Sequence, residues 1–138
     1  MIVLDTNVLS EIMRCEPSSV LNRIKDLMVS LPHITVITAA ELRIGYSLLP
    51  AGRRRQLLSE TVEQMLTAEF AERILPLDSN ASHHYAALVA HCRAAGRPMP
   101  QHDALIAAIT LSHGATLVTR NVKDFQFCDV PLINPWTE

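Results

Sequence analysis

Five polar side chains in this chain have the types and positions expected of ligands for a hard metal ion. Asp5 closes an apolar run at the start of the chain, and Glu41 and Asp103 lie in the first turns of two later predicted helices. Asn121 and Asp124 follow another apolar run. All five offer oxygen atoms, and oxygen ligands favour Mg²⁺ or Mn²⁺.

The chemistry of such a cluster follows from electrostatics. Two carboxylates about 4 Å apart repel by about 1 kcal/mol in bulk water and by about 4 kcal/mol at an effective dielectric constant of about 20. Several in one cleft therefore raise their pKa values or bind a cation. A cation so bound can orient a water and neutralise charge on a phosphodiester. The set predicts metal-assisted hydrolysis of a nucleic acid.

These side chains can meet only if strands and helices alternate around one sheet. Apolar or β-branched runs predict strands at 1–5, 33–37, 73–77, 115–119 and 130–133. Helical periodicity and Pro or Gly stops predict helices at 17–31, at 38–49, from 53 onward, around 85–92 and at 102–112. This alternation predicts one α/β domain over 1–138, with a mostly parallel central sheet flanked by helices. Ligands of such sheets bind at the carboxyl ends of the strands, where these polar residues would lie.

Each acid also has a purely structural explanation that the sequence leaves open. Asp5 could cap the following turn, and Glu41 could complete a capping box with Thr38 as the N-cap. Asp103 could complement the dipole of its helix. Asp124 could be a solvated loop acid. The functional interpretation depends on all of them sharing one location.

Composition limits how the protein can bind nucleic acid and the cellular compartment in which we expect it. The formal charge is −2, so nucleic-acid binding must use a local basic patch rather than overall basicity. Arg53, Arg54 and Arg55 form the only basic run, and Arg120 stands beside Asn121. The three cysteines form no C-x-x-C pair, which excludes a disulfide framework and a thiolate zinc site. With no membrane-length apolar run and no basic leader, we expect a cytoplasmic protein that does not enter membranes.

Short motifs in this order resemble PIN-domain ribonucleases, the toxins of VapBC-type toxin–antitoxin pairs, and among these the FitB-like branch. The resemblance spans essentially the whole chain. It rests on IVLDTNV at 2–8, TAAEL at 38–42, DALIAA at 103–108, TRN at 119–121, KDF at 123–125 and NPW at 134–136.

The resemblance implies a PIN-like fold and a Mg²⁺-dependent endoribonuclease, with Mn²⁺ as a possible substitute. By position, Asp5 and Asp103 would bind the ion most directly. Glu41 would also bind the ion, and it would hold the attacking water or act as the base. Asn121 would complete the catalytic set where the family more often has Asp, which removes one negative charge; Asp124 could compensate.

Substrate and partners also follow from the resemblance and the basic residues. We expect RNA contacts at Thr6, Thr119 and Arg120, and at the basic run 53–55. The resemblance implies a homodimer or a larger toxin–antitoxin assembly, and a small cognate antitoxin whose C-terminal segment covers the cleft. Promoter DNA would be bound only through that antitoxin.

Three other functions remain to be compared. A catalytically silent PIN-fold protein could bind an antitoxin and take part in DNA-binding autoregulation, with Asn121 as the mark of a decayed site. A receiver-like phospho-acceptor domain would need an early acid pair and a strand-end lysine, whereas Lys123 lies in a predicted loop. A haloacid-dehalogenase-like phosphatase would need Asp-x-Asp where this chain has Asp5-Thr6-Asn7.

Overall fold

A computed structural model of the protein describes residues 1–14 and 16–137. These residues form five strands: β1 Ile2–Leu4, β2 Ile34–Thr35, β3 Ile74–Leu75, β4 Thr116–Val118 and β5 Leu132–Ile133. They also form seven α-helices: α1 Thr6–Met13, α2 Ser19–Leu27, α3 Val36–Ser47, α4 Arg53–Gln64, α5 Ser79–Ala94, α6 Gln101–Ser112 and α7 Val122–Phe125. A π-helical turn, Met65–Glu69, extends α4.

The central sheet is parallel, as predicted. Strands β1, β4 and β5 pair side by side, and β2 pairs with β3. A parallel bridge between Val3 and His33 joins the two groups, which gives the spatial order β3-β2-β1-β4-β5. The chain therefore builds outward from β1 in one direction and then crosses to β4 on the other side. The carboxyl ends of β1 and β4 flank this reversal, the usual place for a ligand site in an open α/β sheet.

Helices cover both faces of the sheet. Neighbouring residues of a strand point to opposite faces, so Val3 and Leu117 pack in a core cluster with α5 and α6. Leu4 and Val118 pack in a second cluster with α1 to α4. The helix α6 is buried over most of its surface, as its nearly continuous apolar sequence predicts. It carries Asp103 in its first turn.

The capping box predicted at Thr38 is wrong. The N-cap of α3 is Thr35, whose hydroxyl accepts a hydrogen bond from the Thr38 backbone N–H at 3.2 Å. The strand predicted at 33–37 is correspondingly shorter, because Val36 and Ile37 belong to the helix. Glu41 thus lies in the second turn of α3, beyond the N3 position that a capping box requires.

Other boundaries differ from the sequence prediction in specific places. The helices α1 and α7 were not predicted. The helix predicted at 17–31 ends at Leu27, and Leu31 is exposed. Of the three cysteines, Cys92 and Cys128 are buried free thiols, and Cys15 lies outside the described residues. Among the helices described, none combines the length and the apolar character needed to cross a bilayer.

Candidate active site

Asp5 is the buried centre of the site. It follows β1 directly and caps α1, since its Oδ1 accepts from the Thr6 N–H at 2.8 Å. Its Oδ2 accepts from the Thr119 hydroxyl at 2.7 Å and from the Asn7 side-chain amide at 3.2 Å. Burial raises the pKa of Asp5, although these hydrogen bonds oppose the shift. Asp5 therefore both caps α1 and belongs to the carboxylate cluster.

Glu41 reaches the site from α3 and is oriented by two threonines. The Thr6 hydroxyl oxygen lies 3.1 Å from Glu41 Oε1 and 3.1 Å from the Thr38 hydroxyl oxygen. Because a hydroxyl carries one proton, Thr6 can donate to the carboxylate while it accepts from Thr38. Burial raises the pKa of Glu41, and the charge of Asp5 raises it further.

Asp103 has a pKa well above the ordinary value of an aspartate. Burial raises its pKa from 3.8 to about 6, with further contributions from the charges of Asp5, Asp124 and Glu41. The exposed Asp124 also raises the pKa of Asp5. Within the described part of the chain, none of these four carboxylates is in a salt bridge. The site therefore carries negative charge that no salt bridge with a described residue offsets.

The loop after β4 is tied to the same centre. Thr119, buried, donates to Asp5 and accepts from the Asn121 backbone N–H at 3.0 Å. The Asn7 side-chain oxygen accepts from the Arg120 backbone N–H at 3.1 Å. Asn121 itself is exposed, and its side chain forms no hydrogen bond with any described residue. Its predicted part in catalysis stays a prediction.

Two contributors were not identified from the sequence. Asn7 bridges Asp5 and the Arg120 backbone. His102, which directly precedes Asp103 in α6, lies close enough to lower the pKa of both Glu41 and Asp103. Asn7 could have been found from its position two residues after the strand-end acid. His102 is visible only once α6 is placed against the sheet.

The basic run 53–55 lies away from the carboxylates. Arg43 and Tyr46 of α3 both contact Glu63 near the end of α4, and only residues 48–52 separate the two helices in the chain. Arg53 at the start of α4 is therefore beside the end of α3. That end is six residues beyond Glu41, or roughly 9 Å along the helix axis. Any RNA contact by this run would be distant from the bond that is cut.

The donor set fits a hard divalent cation, although the protein does not build a complete cage. Within the described residues, no three His, Cys, Asp or Glu side chains form a metal-ligating group by themselves. Mg²⁺ needs no such cage, since one or two carboxylates and several waters commonly hold it. Carboxylates that raise one another's pKa, with no paired Lys or Arg among the described residues, favour binding of a cation.

The raised pKa values predict how metal-free stability depends on pH. When the pKa of a carboxyl group is higher in the folded than in the unfolded state, the folded protein loses stability as pH rises between the two values. For Asp103 this window runs from 3.8 to about 6, and Asp5 and Glu41 act in the same direction. His33, whose pKa is lowered by burial, acts in the opposite direction.

We therefore expect the stability advantage of Asp103→Asn over the wild type to grow as pH rises from 4 to 7. Thermal melts in EDTA at several pH values measure this difference, in which the contribution of His33 cancels. An advantage that stayed constant over the window would contradict the assigned environment of Asp103.

Comparison with known proteins places this geometry in a family. A family model described as "PIN domain" matches residues 2–131. The plasmid stability protein StbB of Pseudomonas syringae pv. tomato is 43% identical over 99% of this chain and 99% of its own. The VapC ribonuclease Y4jK of Sinorhizobium fredii is 39% identical over 99% of this chain and 98% of its own.

Solved structures agree with the sequence relatives. The crystal structure of FitAcB from Neisseria gonorrhoeae contains a chain that superposes with a TM-score of 0.89 at 37% identity, covering 100% of both chains. A chain in the structure of FitAB bound to an IR36 DNA fragment has a TM-score of 0.87 at 34% identity, covering 99% of this chain and 96% of that one. Both likenesses extend through the strands and helices that carry the four carboxylates.

Proposed function

Because the chain belongs to the PIN domain family, among its VapC-type and FitB-like toxins, we propose that it is a Mg²⁺-dependent endoribonuclease neutralised by a cognate antitoxin. The observation that carries this proposal is that Asp5, Glu41, Asp103 and Asp124 lie close enough to affect one another's pKa values, without a salt-bridge partner among the described residues. The ribonuclease named among its relatives supports RNA as the substrate.

In this proposal each side chain has a distinct task. Asp5 and Asp103 would hold the ion, which when bound supplies charge neutralisation at the phosphodiester and activation of water. Glu41 would act as the base, because Thr6 holds one carboxylate oxygen and a raised pKa suits proton transfer near neutral pH. The water oxygen would bond to phosphorus as the P–O3′ bond breaks. Glu41 would take a proton from this water and the leaving O3′ would take one from solvent, which leaves a 5′-phosphate and a 3′-hydroxyl.

A cleavage assay tests the proposal directly. The purified chain, free of antitoxin, should cut single-stranded RNA in magnesium or manganese and should stop on addition of EDTA. Products should carry 5′-phosphates, which end-labelling detects. RNA that stays intact across divalent metals, while an antitoxin still binds tightly, would instead support the silent binding protein.

A groove beside the carboxylates supports inhibition by an antitoxin. A groove of about 540 Å³ lies between α1 and the helices α3 and α4, and its lining includes Thr6 and Glu41. Beyond Glu41 its lining is largely apolar and includes Met13, Leu42, Leu58 and Val62. A partner segment with an apolar face and a cation at one end matches this lining and would block access of substrate to Glu41.

Gly45 offers a test of this groove. A Cβ built at Gly45 meets no atom within 4 Å, so a larger side chain fits the helix and projects into the groove. We expect Gly45→Phe to weaken inhibition by a co-expressed antitoxin at least about tenfold, the cost of roughly 1.4 kcal/mol in binding. Titration of RNA cleavage with purified antitoxin measures the effect, and Gly45→Ala provides the control. Equal inhibition of Gly45→Phe and the wild type would place the antitoxin elsewhere.

The remaining parts of the proposal concern assembly. We propose that the toxin acts in the cytoplasm as a homodimer or in a larger toxin–antitoxin assembly. Contact with promoter DNA would pass through the antitoxin, which the DNA-bound FitAB complex supports by similarity. Light scattering of the free toxin and of the toxin–antitoxin complex tests the assembly.

A further inference from the structure

We propose that Arg120, Lys123 and Trp136 form a subsite for one unpaired nucleotide of the RNA, next to the bond that is cut. This inference rests on the proposed ribonuclease function. It concerns a cleft of about 380 Å³ between the Arg120–Asp124 loop and Asn134.

The cleft shares Asp124 with the carboxylate cluster. Asp124 lines it and acts electrostatically on Asp5 and Asp103. Its other charged lining residues, Arg120 and Lys123, are exposed and form no salt bridge with a described residue. The charge therefore changes from negative at the metal site to positive along the cleft. That order suits a chain whose scissile phosphate meets the ion while its next phosphate meets the two cations.

Trp136 adds an aromatic surface at the side of the cleft. The Arg120 guanidinium carbon lies 5.2 Å from the centre of the Trp136 ring, which is the geometry of a cation–π contact. A guanidinium over a ring can still direct N–H groups to a phosphate, and its outer face can stack on a base. Trp136 is partly exposed, so a base can also reach the ring.

Hydrogen bonds within the protein hold the backbone at Arg120 and Trp136. The Trp136 backbone N–H donates to the Asn134 side chain at 2.9 Å. A single Arg23 guanidinium nitrogen donates to the carbonyls of Pro135 and Trp136, at 3.0 and 2.9 Å. The Asn7 side chain accepts from the Arg120 backbone N–H and donates to Asp5, so it links Arg120 to Asp5. These hydrogen bonds fix the backbone, so binding requires little backbone ordering, which favours affinity.

Binding of a short fluorescein-labelled single-stranded RNA, followed by anisotropy, tests the subsite. The measurements use the full chain with Asp103→Asn, in magnesium, so that cleavage does not interfere. Stacking on one aromatic group contributes roughly 1–3 kcal/mol per base. We expect Trp136→Leu and Arg120→Lys each to raise the dissociation constant about fivefold or more, and Trp136→Phe to restore it. Arg120→Lys keeps the charge, so it separates stacking from electrostatics.

Two further variants complete the design. Lys123→Ala should lower the slope of log affinity against log salt by about 0.7, the value of one phosphate contact on a single strand. Arg73 also lies 5.2 Å from a ring, that of Phe70, but it precedes β3 at the opposite edge of the sheet. Arg73→Lys is therefore the matched control and should bind RNA like the parent.

The outcomes separate this subsite from the proposed function. If the wild type cleaves RNA but Trp136→Leu and Arg120→Lys bind like the parent, the subsite is wrong and the ribonuclease stands. Equal weakening by Arg73→Lys would also overturn the subsite. If the wild type neither cleaves nor binds RNA, the proposed function fails, and the subsite fails with it.

Discussion

Asp103→Asn should abolish RNA cleavage and at the same time make the metal-free protein more stable. Loss of an outer partner of a metal site costs about 10–100-fold, so loss of a direct ligand should cost at least about a hundredfold in kcat. The stability gain follows from the pKa of Asp103, which rises from 3.8 to about 6 in the folded protein. That shift corresponds to roughly 3 kcal/mol, which partial exposure to solvent reduces to about 1–2 kcal/mol.

The expected gain is roughly 3–6 °C in Tm for a domain of this length, measured in EDTA at pH 7. Magnesium should raise the Tm of the wild type and have much less effect on the variant. Glu72→Gln is the control, because it removes the same charge from an exposed position in the turn before β3. A variant that lost activity and was also less stable than the wild type would show that Asp103 is structural.

Thr119→Val should have the second largest effect, although Thr119 is not proposed to touch the ion. Its buried hydroxyl donates to Asp5 at 2.7 Å and accepts from the Asn121 backbone N–H at 3.0 Å. Valine has nearly the same shape but satisfies neither partner. We expect a 10–100-fold loss of kcat, typical of an outer partner of a metal site. Unfolding free energy should fall by about 1–3 kcal/mol, the cost of leaving a buried polar group unpaired.

Thr119→Ser separates the hydroxyl from the packing. It keeps both hydrogen bonds and removes one methyl group, so most of the activity should remain. Cleavage rates and urea denaturation of the three proteins measure the two effects. If Thr119→Ser lost as much activity as Thr119→Val, the methyl group rather than the hydroxyl would matter.

The parallel α/β fold could be predicted from the sequence because its signals are local. Short apolar runs, helical periodicity and Pro or Gly stops each depend on neighbouring residues. The expectation that Asp5 and Asp103 lie at one edge of the sheet follows from that alternation alone. The helix α1 was not predicted, because its N-cap is Asp5, an acid at the end of an apolar strand whose position fits a site residue equally well.

The detailed geometry of the site could not be predicted because it depends on contacts between distant segments. Thr35 and Thr38 are both plausible caps, and the pairing of β2 with its neighbours decides between them. The link from Thr119 to Asp5 exists only because β4 pairs with β1. Likewise, Trp136 lies beside Arg120 only because β5 pairs with β4, which places the residues after β5 next to the loop that follows β4.

The pairing of β1 with β4 has a consequence for how a cell can make this protein. Asp5 precedes Thr119, which binds its carboxylate, by 114 residues. A nascent chain that stalls or is cut before this point lacks β4 and the loop that follows. Products that end before Thr119 lack the hydrogen bond that holds Asp5, and we expect them to be inactive.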